Sequence, residues 1–213
     1  MTDIVILGAG GHAFSIADSI IRAKEYKIIG YTDFKEDLSH RIMNYMNYLG
    51  TDDVLPSLFQ QGIKHAAIGI GFLGNTTIRD KLYKKLKEMG FCLPIITDPS
   101  ACVSSISEIG EGTFIGKNAI VNVCSKIEKM CIINSNATVD HDCSIGAFTH
   151  ISVGANLCGN VKVGDHSLIG AGATIIQGLT IGSNAIIGAG SVVIHDIRDR
   201  TKTYGVAAIS QTM

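Results

Sequence analysis

The second half of this 213-residue chain repeats a pattern of six residues, with one aliphatic side chain at the same place in each unit. Stepping by six from Val103 to Val193, every position is Val, Ile or Leu, and all except Leu157 are β-branched. The positions are Val103, Ile109, Ile115, Val121, Ile127, Ile133, Val139, Ile145, Ile151, Leu157, Val163, Ile169, Ile175, Ile181, Ile187 and Val193. Four residues after most of them the side chain is small, as in Ser107, Thr113, Ala119, Ser125, Cys131, Ala137, Cys143, Thr149 and Ala155.

This repeat predicts a parallel β-helix. Each unit of six would form one short strand and one tight turn, and three units would complete a triangular coil. The β-branched side chains would point inward and stack on their equivalents one coil away, at a strand spacing of about 4.8 Å. The small side chains would fit near the corners. Repeats of six residues are a recognised signature of this architecture.

The first part of the chain instead alternates apolar strands with amphipathic helices, which predicts a Rossmann-like α/β domain with a parallel sheet. Predicted strands cover residues 3–7, 27–32, 66–71 and 91–97, and the polar stretch 35–50 is predicted to be a loop. The pattern changes after Asp98 and Pro99. We therefore expect an α/β domain over residues 1–98 and a β-helix domain over residues 99–213.

Two helices are predicted within the α/β domain. The first follows strand 3–7, and its apolar face carries Phe14, Ala17, Ile20 and Ile21. The second is capped by Asn75 or Thr76 and ends at Gly90, and its apolar face carries Ile78, Leu82, Leu86 and Met89.

Composition and charge exclude several classes of protein. With 46% hydrophobic residues the chain can bury a core, and its net charge of −1 offers no electrostatic footprint for nucleic acid. The first residues lack the basic segment of a signal peptide, and no apolar run approaches the roughly 18 residues of a membrane span. The six cysteines form no C-x-x-C pair, which indicates reduced thiols. We expect a cytoplasmic protein without membrane insertion.

A glycine-rich turn suggests a phosphate site in the first domain. Gly8, Gly10 and Ala13 follow a predicted strand and open a helix in the G-x-G-x-x-A spacing of a dinucleotide fingerprint. The domain is too short for a full dinucleotide fold, but a helix N-terminus approached closely by backbone suits any phosphate.

The chain resembles the hexapeptide-repeat, left-handed β-helix sugar acetyltransferases. The resemblance rests on the repeat, on residues 8–12 and 30–33, and above all on residues 139–152, which hold His141 between two aspartates and His150 nine positions later. Within that family it is most similar to enzymes that N-acetylate UDP-linked 4-amino sugars, such as the bacillosamine precursor. The resemblance implies a homotrimer with acetyl-CoA along grooves between neighbouring prisms and a nucleotide sugar held by the first domain.

The resemblance also assigns roles to individual residues. His141 would act as the base that takes a proton from the sugar amine, Asp142 would orient its ring, and Asn134 would help to position the amine or the histidine. The residues implied for acetyl-CoA are His150, Gly159, Ala171 and Ala189, with the Gly159 backbone N–H as oxyanion donor. The residues implied for the nucleotide sugar are Gly10, Gly11, His12, Thr32, Asp33 and Gly71.

Three alternatives remain open at this point. A sugar O-acetyltransferase of the sialic acid type would have the same fold and base but a hydroxyl acceptor. A zinc-dependent β-helix hydratase would need three histidines around the metal, for which His141, His150 and His166 are available. The motif favours a base over a ligand, so we expect no metal. The third alternative is a non-catalytic binder of nucleotide sugars.

Overall fold

The computed structural model describes residues 1–36, 46–72, 74 and 77–205. The chain divides into two compact units, Met1–Pro99 and Ser100–Met213, and the predicted boundary lies one residue earlier. Among the described residues, no helix is long and apolar enough to cross a membrane.

The first unit is built on a four-stranded parallel sheet with the order β3-β2-β1-β4. Its strands are β1 (Thr2–Leu7), β2 (Tyr26–Thr32), β3 (Tyr48–Gly50) and β4 (His65–Ile68), and a short strand β5 (Ile96–Thr97) follows near its end. Its helices are α1 (Gly11–Ala23), α2 (Leu55–Gln60) and α3 (Thr77–Glu88), and a 3-10 turn covers Asp52–Val54. The predicted α/β class is confirmed.

The helices bury part of the faces that their periodicity predicts. Helix α1 buries Ala17 and Ile20, but Ile21 is 44% exposed and Ile16 is buried in its place. Helix α3 buries Leu86, whereas Ile78 is 62% exposed. The apolar stripes are therefore narrower than predicted.

Some predicted boundaries in this unit are wrong. Strand β4 ends at Ile68, so Gly71 lies in the segment beyond the strand. The predicted strand 91–97 is reduced to an isolated bridge between Cys92 and His65 and the two-residue strand β5. Pro94 lies between them and has no N–H for a ladder.

The stretch 35–50 was predicted to be a loop, but its last three residues form strand β3, which pairs with β2. Residues 37–45 of that stretch lie outside the described residues, as do the predicted caps Asn75 and Thr76.

The second unit consists of two-residue strands in three parallel sheets, the arrangement typical of a left-handed β-helix, and it confirms the predicted fold class. Face 1 contains Glu108–Ile109, Lys126–Ile127, Ser144–Ile145, Lys162–Val163 and Thr180–Ile181. Face 2 contains Phe114–Ile115, Ile132–Ile133, His150–Ile151, Leu168–Ile169, Ile186–Ile187 and Lys202–Thr203. Face 3 contains Cys102–Val103, Ile120–Val121, Thr138–Val139, Asn156–Leu157, Thr174–Ile175 and Val192–Val193.

The strand register explains the six-residue pattern. Each strand pairs with the strand 18 residues further along, as Ile127 does with Ile145 and Ile133 does with Ile151. The aliphatic residue of each unit therefore stacks on its equivalent, and from Ile115 to Val193 all of these side chains are buried. Side chains of the first strand position point away from this core.

Buried hydroxyl groups join successive coils at the corners. The hydroxyl of Ser167 donates to the carbonyl of Gly182, at 2.8 Å, and accepts the N–H of Ala185, at 3.0 Å. Thr149 makes the same pair of bonds, to the carbonyl of Gly164 and from the N–H of Ser167. A small polar side chain at this position thus satisfies two backbone groups of the coil above.

We expect Ser167→Ala to lower the free energy of unfolding by about 1–3 kcal/mol, because it leaves a buried carbonyl and a buried N–H without their partner. Denaturant unfolding followed by circular dichroism measures the change. Ser105→Ala, in an exposed turn of the same helix, is the control and should change stability by less than about 0.5 kcal/mol. Equal stability of the two variants would contradict the role of the corner hydroxyl.

Candidate active site

The turn that carries His141 follows strand Thr138–Val139 and leads from face 3 to face 1. Asp142 adopts the left-handed conformation, with φ 59°, which Asp tolerates better than most residues. The neighbouring coils hold this turn from both sides. The N–H of Asp142 donates to the carbonyl of Val123, at 3.0 Å, and the carbonyl of His141 accepts the N–H of Asn160, at 2.8 Å. The His141 side chain projects outward and is 52% exposed.

The His141 ring is paired with the carboxylate of the next residue. Its Nδ1 lies 2.7 Å from Asp142 Oδ2, so Nδ1 carries the proton and Nε2 keeps a free lone pair. The hydrogen bond to Asp142 raises the pKa of His141, and the negative charge of Asp140 raises it further. This arrangement is that of a general base with an orienting carboxylate.

Gly159 lies one coil above His141 and leaves room for its ring. A Cβ at position 159 would come within 2.4 Å of Nε2, so any side chain there would displace the imidazole. The Gly159 N–H donates to no acceptor among the described residues. The predicted base and the predicted oxyanion donor are thus neighbours at the edge between faces 3 and 1, called here the histidine edge.

The other residues predicted for acetyl-CoA lie along a different edge, between faces 2 and 3. His150, on face 2, is 7% exposed, and its Nε2 lies 3.1 Å from Asn134 Nδ2. The Asn134 Oδ1 accepts the N–H of Ser135, at 2.8 Å, which turns Nδ2 towards the histidine. Ala171 and Ala189 are exposed in turns one coil apart at the same corner. We call this line the alanine edge.

Face 3 separates the two edges within one protomer. Asn134 contacts His150, not His141, so a single chain does not join these predicted residues into one constellation. His166, the third histidine considered for zinc, stacks on Phe148 at a third corner, with ring centroids 5.2 Å apart. Among the residues that the structure describes, no group of His, Cys, Asp or Glu forms a metal-type cluster.

The first unit contains a pocket of about 520 Å³ at the carboxyl end of its sheet. Asp33 stands at its wall, where Oδ2 accepts the N–H of Ala9, at 2.8 Å, and Oδ1 accepts the N–H of Phe34, at 2.7 Å. The residues that line the pocket are Leu7, Gly8, Thr32, Asp33, Phe34, Thr51, Asp52, Asp53, Ile70, Ile78 and Leu82.

Sequence reasoning missed the acidic pair Asp52 and Asp53. The buried hydroxyl of Thr32 donates to Asp52, at 2.6 Å, so this predicted ligand residue is bonded to the protein itself. Thr51 followed by two acidic residues is a helix N-terminus signature, and it could have indicated the 3-10 turn that places them here.

The N-terminus of α1 is open, as the glycine-rich turn predicts. Gly10 caps the helix without a side-chain hydrogen bond, and a Cβ at Gly10 or Gly11 would meet no atom within 4 Å. His12 follows on the first turn, and a Cβ at Gly71 would lie 3.6 Å from the Cβ of His12. The helix therefore presents its first N–H groups beside a narrow passage, a geometry suited to phosphate.

Comparisons with known proteins agree with these two units. Residues 3–86 match the model of the PglD N-terminal domain, residues 108–141 that of the hexapeptide repeat of succinyl-transferase, and residues 142–177 and 160–195 that of the bacterial transferase hexapeptide. A search of curated proteins finds no match.

Solved structures match the whole chain. PerB from Caulobacter crescentus, in complex with CoA and GDP-perosamine, is 35% identical, with 100% of this chain and 98% of that chain covered and a TM-score of 0.89. The acetyltransferase domain of PglB from Neisseria gonorrhoeae, in complex with acetyl coenzyme A, is 34% identical, with 95% and 96% covered and a TM-score of 0.87. The chain belongs to the PglD-type family of hexapeptide-repeat sugar N-acetyltransferases.

Membership of this family confirms the predicted enzyme class, a sugar acetyltransferase that uses acetyl-CoA. It also removes the support for a zinc-dependent hydratase, which rested on the availability of three histidines. The roles of individual residues remain predictions that the geometry makes specific.

We expect Asp142→Asn to move the acid limb of the kcat/KM profile to lower pH. A base must be neutral to accept a proton, so activity rises with pH through the His141 pKa, and Asp142 is the largest cause that raises this pKa. Asn also tolerates the left-handed backbone. Rates between pH 5 and 9 measure the shift, and an unchanged acid limb would contradict the pairing of His141 with Asp142.

Proposed function

We propose that this enzyme transfers the acetyl group of acetyl-CoA to the 4-amino group of a nucleotide-linked sugar, with His141 as general base. The observation that carries the proposal is the hydrogen bond of 2.7 Å between His141 Nδ1 and Asp142, with Nε2 facing the side-chain-free Gly159. UDP is the first candidate nucleotide, from the resemblance to the enzymes of the bacillosamine pathway. GDP is the second, because PerB was crystallised with GDP-perosamine.

The geometry supports a direct transfer mechanism. His141 Nε2 takes a proton from the sugar amine as the nitrogen attacks the thioester carbonyl. The new C–N bond produces a tetrahedral oxyanion, which the N–H of Gly159 stabilises. Collapse of this intermediate breaks the C–S bond, and the imidazolium gives its proton to the departing thiolate. Asp142 stabilises the imidazolium while it exists.

The alanine edge supports the predicted path of acetyl-CoA. Ala171 and Ala189 are small and exposed, so the pantetheine chain can lie close to the backbone of the turns that carry them. His150 lies on face 2 beside this edge, and Asn134 holds its ring. Because face 3 separates these residues from His141, a site that uses both edges needs two prisms.

We therefore propose a homotrimer in which the histidine edge of one protomer meets the alanine edge of the next. Exposed apolar side chains at both edges and on the face between them support this assembly. Val123 is 41% exposed at the histidine edge, Val153 is 47% exposed at the alanine edge, and Ile120 is 40% exposed on face 3. Exposed apolar surface of this kind marks interfaces.

The first unit is proposed to hold the nucleotide. The N–H groups of Gly11 and His12 at the start of α1, approached through Gly10 and Gly71, suit the diphosphate. Asp33 and Thr32 stand at the wall of the pocket beyond them, where a base or ribose would find hydrogen-bond acceptors. Substrates of this kind and reduced cysteines fit the predicted cytoplasmic location.

A substrate panel tests the reaction. We expect thiol release from acetyl-CoA with one or more UDP- or GDP-linked 4-amino sugars, and none with the matching 4-hydroxy sugars, followed with a thiol reagent. Release with the hydroxyl sugars alone would establish the O-acetyltransferase alternative. Calorimetric binding of the nucleotide sugar without turnover would establish a non-catalytic binder.

We expect His141→Ala to lower kcat by about 10²–10⁴-fold, the usual contribution of a general base. Sedimentation should show the same trimer as the unmodified enzyme. His166→Asn is the matched control, because it replaces a histidine of another corner by a residue that accepts the same left-handed backbone. Near-normal turnover of His141→Ala would refute the base assignment.

A further inference from the structure

We propose that Asn122 is a positioning residue for acetyl transfer, which acts from the preceding coil by holding the Asp140 carboxylate that in turn holds His141. The inference rests on the proposed role of His141 as base. Asn122 touches neither substrate nor the imidazole in this arrangement, so its effect is transmitted through Asp140.

A short chain of hydrogen bonds connects the two residues. Asn122 Nδ2 donates to Asp140 Oδ1, at 2.7 Å, and the same oxygen accepts the backbone N–H of His141, at 2.8 Å. The other end of the amide is also engaged, because Asn122 Oδ1 accepts the N–H of Val123, at 2.8 Å. With both ends bonded, the amide has one orientation, and it fixes the rotamer of Asp140.

The backbone ladder does not do this work by itself. It binds the carbonyl of His141 through Asn160 and the N–H of Asp142 through Val123. The N–H of His141, in contrast, is held by the Asp140 carboxylate. The link from Asn122 to Asp140 therefore secures the peptide group directly before the imidazole, where a small rotation would move Nε2 relative to Gly159.

The same link has an electrostatic consequence. The hydrogen bond from Asn122 is the largest cause that lowers the pKa of Asp140, followed by the bond from the His141 N–H. Asp140 is thus ionised wherever His141 titrates, and its charge raises the His141 pKa. The turns above and below present the thiols of Cys124 and Cys158 and no charged side chain, so the two aspartates of this turn set the local charge.

Two variants separate geometry from charge. Asn122→Ala removes the support, and we expect kcat to fall about 10- to 100-fold with an unchanged KM for acetyl-CoA, since small misplacements of a catalytic group are costly. Asp140→Asn keeps an oxygen for the His141 N–H but removes the charge, and we expect the acid limb of kcat/KM to move to lower pH. Asn122→Ala should move it in the same direction, because the freed carboxylate turns away from the ring.

Asp199→Ala is the control for the loss of one hydrogen bond between coils. Its Oδ1 accepts the N–H of Ser183, at 2.8 Å, in a corner without predicted site residues. We expect unchanged kcat and an unchanged pH profile for this variant, with a change in unfolding midpoint similar to that of Asn122→Ala.

A double-mutant cycle completes the test, because residues that act through one another are not additive. Asn122→Ala should have little effect in the His141→Ala background. An additive loss there, or a normal kcat and pH profile of Asn122→Ala beside an inactive His141→Ala, would overturn the positioning role. An active His141→Ala would overturn the proposed function instead, so the two failures are distinguishable.

Discussion

The pairing of each strand with the strand 18 residues further along determines nearly every feature of the second unit. It stacks the aliphatic core, and it aligns the turns into straight edges. Residues distant in sequence therefore become neighbours at fixed heights. His141 meets Gly159 and Asp140 meets Asn122 only because both pairs are separated by one coil or its equivalent. The chemistry of the histidine edge is a consequence of backbone register.

The β-helix and its inward positions were predictable because the period of six states the register directly. The pairing of His141 with Asp142 was predictable for another reason, since the two residues are adjacent in a recognised motif. Asn122 was not singled out, although the same period places it next to Asp140. Its role depends on which way an amide points, and that follows from the bond to the Val123 N–H.

The first unit was harder to predict because no repeat constrains it. Strand β3 is three residues long at the edge of the sheet and carries little β-branched pattern. The acidic residues Asp52 and Asp53 enter the pocket through the 3-10 turn after that strand, so missing the strand also meant missing them. In the predicted strand 91–97, the apolar run outweighed the single Pro94 that interrupts it.

The strict register also limits how this protein can change its length. One residue inserted into a corner would move every later aliphatic side chain out of phase with the coil beneath it, because alternate positions face opposite sides of a strand. Adding 18 residues would leave the stack intact and merely lengthen the prism. Gene variation in this region should therefore be tolerated as whole coils, with the distance between the histidine edge and either end of the prism free to vary.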